Sequence, residues 1–102
     1  MDIQIKKILD KIPELCKLHG VVYMAIFGSA ALSTMNENSD IDLLVQFNEN
    51  IDTLDYADNF FSLHEKLEKL TGKKVDLITQ KSLKNPVLIQ EIENTKIDFY
   101  AA

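Results

Sequence analysis

Short apolar runs separated by polar turns predict the strands of this chain. Val21 to Phe27 is a continuous apolar run rich in residues that favour strands, which is typical of a buried strand. Ile41 to Phe47 predicts a second strand, and Lys74 to Thr79 predicts a third. Ile97 to Tyr100 predicts a short final strand, so a β-sheet is expected.

Apolar residues at helical spacing predict the segments around these strands. A leading helix is expected to be kinked or interrupted at Pro13 and to stop at Gly20. A longer helix follows the turn at 48–52 and ends at Thr71 and Gly72, and Pro86 suits the first turn of a last helix that reaches about Asn94. The predicted inner side of the longer helix comprises Leu54, Ala57, Phe60, Phe61, His64, Leu67 and Leu70. Residues 28–32 can begin a short helix, and 33–39 form a polar loop. This alternation predicts an α/β fold, a sheet covered by helices.

Composition narrows the class of protein. The 102 residues are 46% apolar and 26% charged, so we expect one globular domain spanning 1–102. The single cysteine, Cys16, excludes an internal disulfide and lies in a helical apolar stripe. The first ten residues are too polar for a signal peptide, and the longest apolar stretch is well short of the ~20 residues that span a bilayer. We therefore expect a cytoplasmic protein without a membrane partner.

The charge balance bears on partners. All eleven basic residues are lysine and the net charge is −5, which argues against direct binding to a nucleic-acid backbone. An acidic surface suits a basic protein partner, although it also simply keeps a protein soluble.

Three acidic residues lie within the predicted strands or directly beside them. Asp40 and Asp42 are two residues apart, so they share one side of their strand, and Asp76 is embedded in the next apolar strand. If the two strands are neighbours, the three carboxylates can converge, and clustered carboxylate oxygens suit Mg²⁺ or Mn²⁺. The alternative is a set of strand ends that face water.

A Gly-Ser pair follows the first strand. Gly28 and Ser29 stand where a strand turns towards a helix, a place that offers close backbone approach, N–H groups and a hydroxyl for phosphate. Together with the acids, the pair indicates a nucleotide site, with phosphates at the turn and metal at the carboxylates.

The spacing of these residues resembles a known signature. Gly28-Ser29, ten residues and then Asp40-x-Asp42 match the G-S-x10-D-x-D pattern of the minimal nucleotidyltransferases, small members of the DNA polymerase β-like superfamily. The resemblance covers nearly the whole chain and implies their small mixed β-sheet covered by helices. It further implies that Asp40 and Asp42 bind metal ions. Asp76 would complete the metal-binding triad and activate the attacking hydroxyl, and Gly28 and Ser29 would hold the β- and γ-phosphates. Two Mg²⁺ ions (Mn²⁺ is an alternative) and ATP as substrate follow from the same resemblance.

One part of the pattern differs. Many members of the family carry arginines directly after the Gly-Ser pair, where this chain has Ala30, Ala31, Leu32 and Ser33. The phosphate-clamping role of arginine would then fall to lysines such as Lys73 or Lys74, or to side chains of a partner.

The small size of the chain resembles the antitoxin half of HEPN/MNT toxin–antitoxin pairs. That resemblance implies transfer of AMP from ATP to a tyrosine of a HEPN ribonuclease, with a homo- or hetero-oligomer as its setting. Two alternatives stay open: a catalytically idle module that neutralises the toxin by contact, and a nucleotidyltransferase with a small-molecule acceptor.

Overall fold

The structure is a computed structural model, and it describes residues 10–28 and 40–102. Its helices are α1 (Ile12–Leu18), α2 (Thr53–Thr71) and α3 (Pro86–Thr95), and its strands are β1 (Val21–Phe27), β2 (Ile41–Phe47), β3 (Val75–Thr79) and β4 (Ile97–Ala101). A single 3-10 turn, Gln80–Ser82, follows β3. The predicted bounds of β1 and β2 are confirmed, β3 begins one residue later than predicted, and β4 and α3 each extend one residue further.

The four strands form one mixed sheet in the order β3-β2-β1-β4. β1 is antiparallel to both of its neighbours, whereas β2 and β3 are parallel. In this register Phe27, the last residue of β1, lies opposite Asp42, and Asp42 in turn lies opposite Asp76. The α/β fold predicted from the sequence is confirmed. The pairing brings the end of β1 and the starts of β2 and β3 together at one end of the sheet.

Alternation along the strands gives the sheet two buried faces. One face packs against α1 and α2 in a core that includes Ile41, Leu43, Val45, Leu63 and Leu67. The other face packs against α3 in a smaller core of Ala25, Phe27, Leu44 and Ile92. Asp42 and Asp76 alternate with first-core residues, so both acids lie on the α3 face.

The inner side of α2 differs from the prediction. Leu54 and Phe61 are 78% and 68% exposed, whereas Leu63 and Leu67 are fully buried. The predicted face therefore mixed two sides of the helix, because apolar residues occur on both sides of α2 and spacing alone does not tell which side meets the sheet.

Local chemistry sets the helix ends. Pro13 lies in the first turn of α1, where its missing N–H costs nothing, so it marks the start of this helix. The side chain of Asp52 accepts the N–H of Asp55 at the start of α2, and Asn85 caps α3 in the same way. Gly72 ends α2 in the left-handed conformation with φ of 68°.

Several predictions fall outside the described residues. These are the helical positions before Asp10, the remainder of the short helix after Gly28, and the polar loop at 33–39. Cys16 is fully buried in the first core, as expected of a packing residue, and burial raises the pKa of its thiol to about 12. Among the helices that the structure describes, each is too short or too polar to cross a bilayer.

Candidate functional site

Asp42 and Asp76 meet on the α3 face of the sheet. They are paired in the parallel register of β2 and β3, and they are close enough for the charge of Asp76 to raise the pKa of Asp42. Asp42 is partly buried and Asp76 is exposed. The pair therefore has one member held by the protein and one that solvent or a substrate can reach.

The surroundings of Asp42 oppose its negative charge. Burial is the largest cause of this effect and the charge of Asp76 is the next; together with Glu91 and Asp40 they raise the pKa of Asp42 to about 6. A carboxyl with this environment is stabilised by a proton or a cation. The site is thus prepared to bind positive charge.

Asp40 lies immediately before β2. Its charge adds to the field at Asp42, although it is the weakest of the causes that raise the Asp42 pKa. The following residue, Ile41, donates its N–H to the Lys74 carbonyl at 2.9 Å, which fixes the start of β2 beside the start of β3. Over residues 10–28 and 40–102, no three His, Cys, Asp or Glu side chains stand close enough to form a complete metal site. The structure thus brings Asp42 and Asp76 together and leaves Asp40 at the margin of the pair.

Gly28 closes the site from the end of β1. Its φ is +70°, and a Cβ atom at this position would lie 2.7 Å from Oδ2 of Asp42. Only glycine adopts this conformation readily while leaving room for the carboxylate. The Gly28 N–H donates to Oγ1 of Thr95 at 3.1 Å, so this amide already has a protein partner. Ser29, the other predicted phosphate-binding residue, lies outside the described residues.

Two residues of α3 that the sequence did not indicate, Glu91 and Thr95, lie close to the site. Thr95 contacts the Gly28 N–H, and the charge of Glu91 contributes to the raised pKa of Asp42. Glu91 and Thr95 are four residues apart, which places them on one side of the helix. That spacing was visible in the sequence, but nothing in it indicated which side of α3 faces Gly28.

Comparison with known proteins identifies the family. The model of the nucleotidyltransferase domain family matches residues 5–99. The chain is 42% identical over 95 residues to the protein MJ1379 of Methanocaldococcus jannaschii, an alignment that covers 92% of this chain and 93% of the relative. The chain belongs to the nucleotidyltransferase domain family. The resemblance drawn from Gly28-Ser29 and Asp40-x-Asp42 is thereby confirmed at the level of the family.

Relatives of this nucleotidyltransferase carry more specific assignments. MJ1379 is assigned as a protein adenylyltransferase. A solved structure assigned as a minimal nucleotidyltransferase superposes with a TM-score of 0.74 at 35% identity and covers 95% of both chains. A chain of a toxin–antitoxin complex crystallised with AMP-PNP superposes with a TM-score of 0.72 at 25% identity, over 92% of this chain and 73% of that one.

The carboxylates of this nucleotidyltransferase fit a divalent cation. Asp42 and Asp76 offer hard oxygen ligands, and their mutual repulsion is the condition that a bound cation relieves. Glu91 and Asp40 add negative charge around the pair. Their oxygens are thus donors of the type that Mg²⁺ and Mn²⁺ prefer.

A cavity of about 500 Å³ lies away from the two carboxylates. Tyr23, Leu44, Gln46, Gln80, Glu93 and Lys96 are among its lining residues. Gln46 is at the far end of β2 from Asp42, and neither Asp42 nor Asp76 lines the cavity. The carboxylates therefore lie outside this cavity.

The metal-free protein should become less stable as pH rises through the Asp42 titration. The folded-state pKa is raised from 3.8 to about 6, so the stability that protonation confers is complete below pH 4 and is lost as pH rises through 6. Asp42→Asn has no carboxyl to titrate at this position and should lose less stability than wild type between pH 4 and pH 7. We expect its unfolding free energy to gain about 1 kcal/mol relative to wild type over this range. This value is smaller than the full change in pKa implies, because the carboxyl is partly exposed. Urea titrations in EDTA at pH 4 and pH 7 measure it. A difference that stays constant with pH would contradict this account of the site.

Proposed function

We propose that the chain is a metal-dependent protein adenylyltransferase that transfers AMP from ATP to a tyrosine of a partner HEPN ribonuclease, and thereby acts as its antitoxin. The observation that carries the proposal is the Asp42–Asp76 pair beside the Gly28 turn in a nucleotidyltransferase fold. The adenylyltransferase assignment of MJ1379 supports the reaction, and the AMP-PNP complex of a toxin–antitoxin protein supports the nucleotide and the setting. The HEPN class and the tyrosine follow from the family resemblance of the signature.

The roles of the residues follow from their positions. Asp42 and Asp76, with Asp40 beside them, would hold Mg²⁺, which when bound neutralises the triphosphate and polarises the reacting oxygens. The Gly28-Ser29 turn would lie against the β- and γ-phosphates. Asp42 lies within its strand, and Gly28 leaves room for its carboxylate, so Asp42 would hold the cation without rearrangement.

Asp76 is the better placed of the two acids to meet an acceptor, because its side chain is exposed. The tyrosine oxygen forms a bond to the α-phosphorus, the bond from that phosphorus to the bridging oxygen breaks, and pyrophosphate leaves with the electron pair. The hydroxyl proton passes to Asp76. The products are the tyrosine AMP ester and pyrophosphate.

The exposed site also favours a protein acceptor. The carboxylates lie near the starts of β2 and β3 rather than inside the 500 Å³ cavity, where a small acceptor would be enclosed. A phenol on the surface of a folded partner would approach them from the side of the exposed Asp76.

The test uses the chain, Mg²⁺, ATP and a candidate HEPN-type partner protein. We expect AMP on a tyrosine of the partner, located by peptide mass spectrometry, and loss of partner ribonuclease activity only when ATP is present. Silencing without ATP would instead identify an idle binding module. AMP transfer to small acceptors but not to the partner would identify a small-molecule enzyme.

A further inference from the structure

The end of β1 is tied to α3 through one side chain. Oγ1 of Thr95 accepts the Gly28 N–H at 3.1 Å and donates its own proton to the Glu91 carbonyl at 2.8 Å. The first bond joins the turn to the Thr95 side chain, and the second joins that side chain to the helix backbone. A hydroxyl can make both bonds, because its oxygen accepts one hydrogen bond while its proton is donated to another group.

α3 is itself a firm support for this link. Ile92, the residue after Glu91, is 2% exposed and packs in the second core with Phe27, the residue that precedes Gly28. The turn is thus held on one side by packing and on the other by the Thr95 hydroxyl. The Asp42 carboxylate also restricts the turn, because it occupies the space that a side chain at Gly28 would need.

We infer that Thr95 is a positioning residue that fixes the Gly28 turn in the conformation that receives the nucleotide phosphates. The inference rests on the proposed function, because it assigns the turn to phosphate binding. It also assigns the Gly28 amide a structural role, because that N–H holds the turn to α3.

The test compares Thr95→Val, which keeps the shape of the side chain and removes the hydroxyl, with Thr95→Ser, which keeps the hydroxyl. Thr95→Val should bind MgATP about fivefold more weakly, the effect of one neutral hydrogen bond. In turnover assays its KM for ATP should rise by a similar factor while kcat stays within about twofold. Thr95→Ser should restore both values to within about twofold of wild type. Amide exchange at Gly28 in the metal-free protein, which needs no turnover, should accelerate in Thr95→Val and recover in Thr95→Ser.

Thr71 supplies a matched control at the end of α2. Its Oγ1 donates to the Leu67 carbonyl at 2.9 Å and accepts the Lys73 N–H at 3.2 Å, the same relay placed on the other face of the sheet. Thr71→Val should lose similar stability but bind ATP as wild type does. Thr95→Ala is measured beside Thr95→Val, so that a packing effect of the added methyl group is separated from loss of the hydroxyl.

The outcomes separate this inference from the proposed function. Unchanged ATP affinity in both Thr95→Val and Thr95→Ala would overturn the positioning role, and so would a Thr95→Ser variant as weak as Thr95→Val. Equal weakening in Thr71→Val would show a general loss of stability and overturn it too. A wild-type chain that binds no ATP would overturn the proposed function itself.

Discussion

Asp42→Asn is expected to reduce AMP transfer at least about 100-fold while leaving the protein folded. The change keeps the size of the side chain but removes a metal-binding charge, and loss of one electrostatic stabiliser of a transition state costs about this factor. Burial and the charge of Asp76 already oppose ionisation of Asp42, so the neutral amide should not weaken the metal-free fold. Activity and stability should therefore respond in opposite directions.

The experiment for Asp42→Asn measures three quantities separately: label transfer, partner ribonuclease activity and complex formation. Partner binding should survive, because the partly buried Asp42 side chain presents little surface to a docked protein. Asp58→Asn on the exposed face of α2 is the matched control, since it removes the same charge away from the site. A variant at Asp42 that silences the partner as fully as wild type does would replace the enzyme with the binding module.

Gly28→Ala should reduce AMP transfer by about 10-fold to 100-fold and destabilise the fold by about 1–2 kcal/mol. The new Cβ would lie 2.7 Å from Oδ2 of Asp42, closer than real contacts permit, so the carboxylate or the turn must move. The backbone conformation at φ of +70° adds a cost that any side chain incurs.

Gly72 allows the two costs of Gly28→Ala to be separated. Its φ is +68°, and among the described residues no atom outside its chain neighbours lies within 4 Å of the position that a Cβ would take. Gly72→Ala should therefore cost about 1 kcal/mol of stability and leave transfer unchanged. Assays of transfer and urea unfolding on both variants measure the difference. Equal activity of the two variants would contradict the close contact between Gly28 and Asp42 as a functional constraint.

The strands could be predicted because each of them carries its own signal. Val21–Phe27 and Ile41–Phe47 are apolar runs bounded by turn residues, and both bounds match the structure. Alternation within β2 and β3 also placed Asp42 and Asp76 away from their apolar neighbours. That the two acids meet depended on β2 and β3 being adjacent and parallel, a pairing that lies between distant segments and has no local signature.

The remaining differences have a similar cause. Leu54 and Phe61 satisfy helical spacing but face solvent, because the side of α2 that meets the sheet is decided by packing. The link from Gly28 to Thr95 joins residues 67 positions apart, and a threonine at a helix end is too common to predict it. Spacing alone does not distinguish Asp40 from Asp42, yet burial and the charge of Asp76 raise the pKa of Asp42.

Transfer of AMP by this nucleotidyltransferase to a HEPN-type partner can be followed with ATP labelled at either end of the triphosphate. The partner HEPN-type protein is incubated with the chain and Mg²⁺, once with ATP labelled on the α-phosphate and once with ATP labelled on the γ-phosphate. We expect the α-label to become covalently attached to the partner and the γ-label to be released with pyrophosphate. Attachment of the γ-label, or no attachment by a folded chain that binds both ATP and the partner, would contradict it.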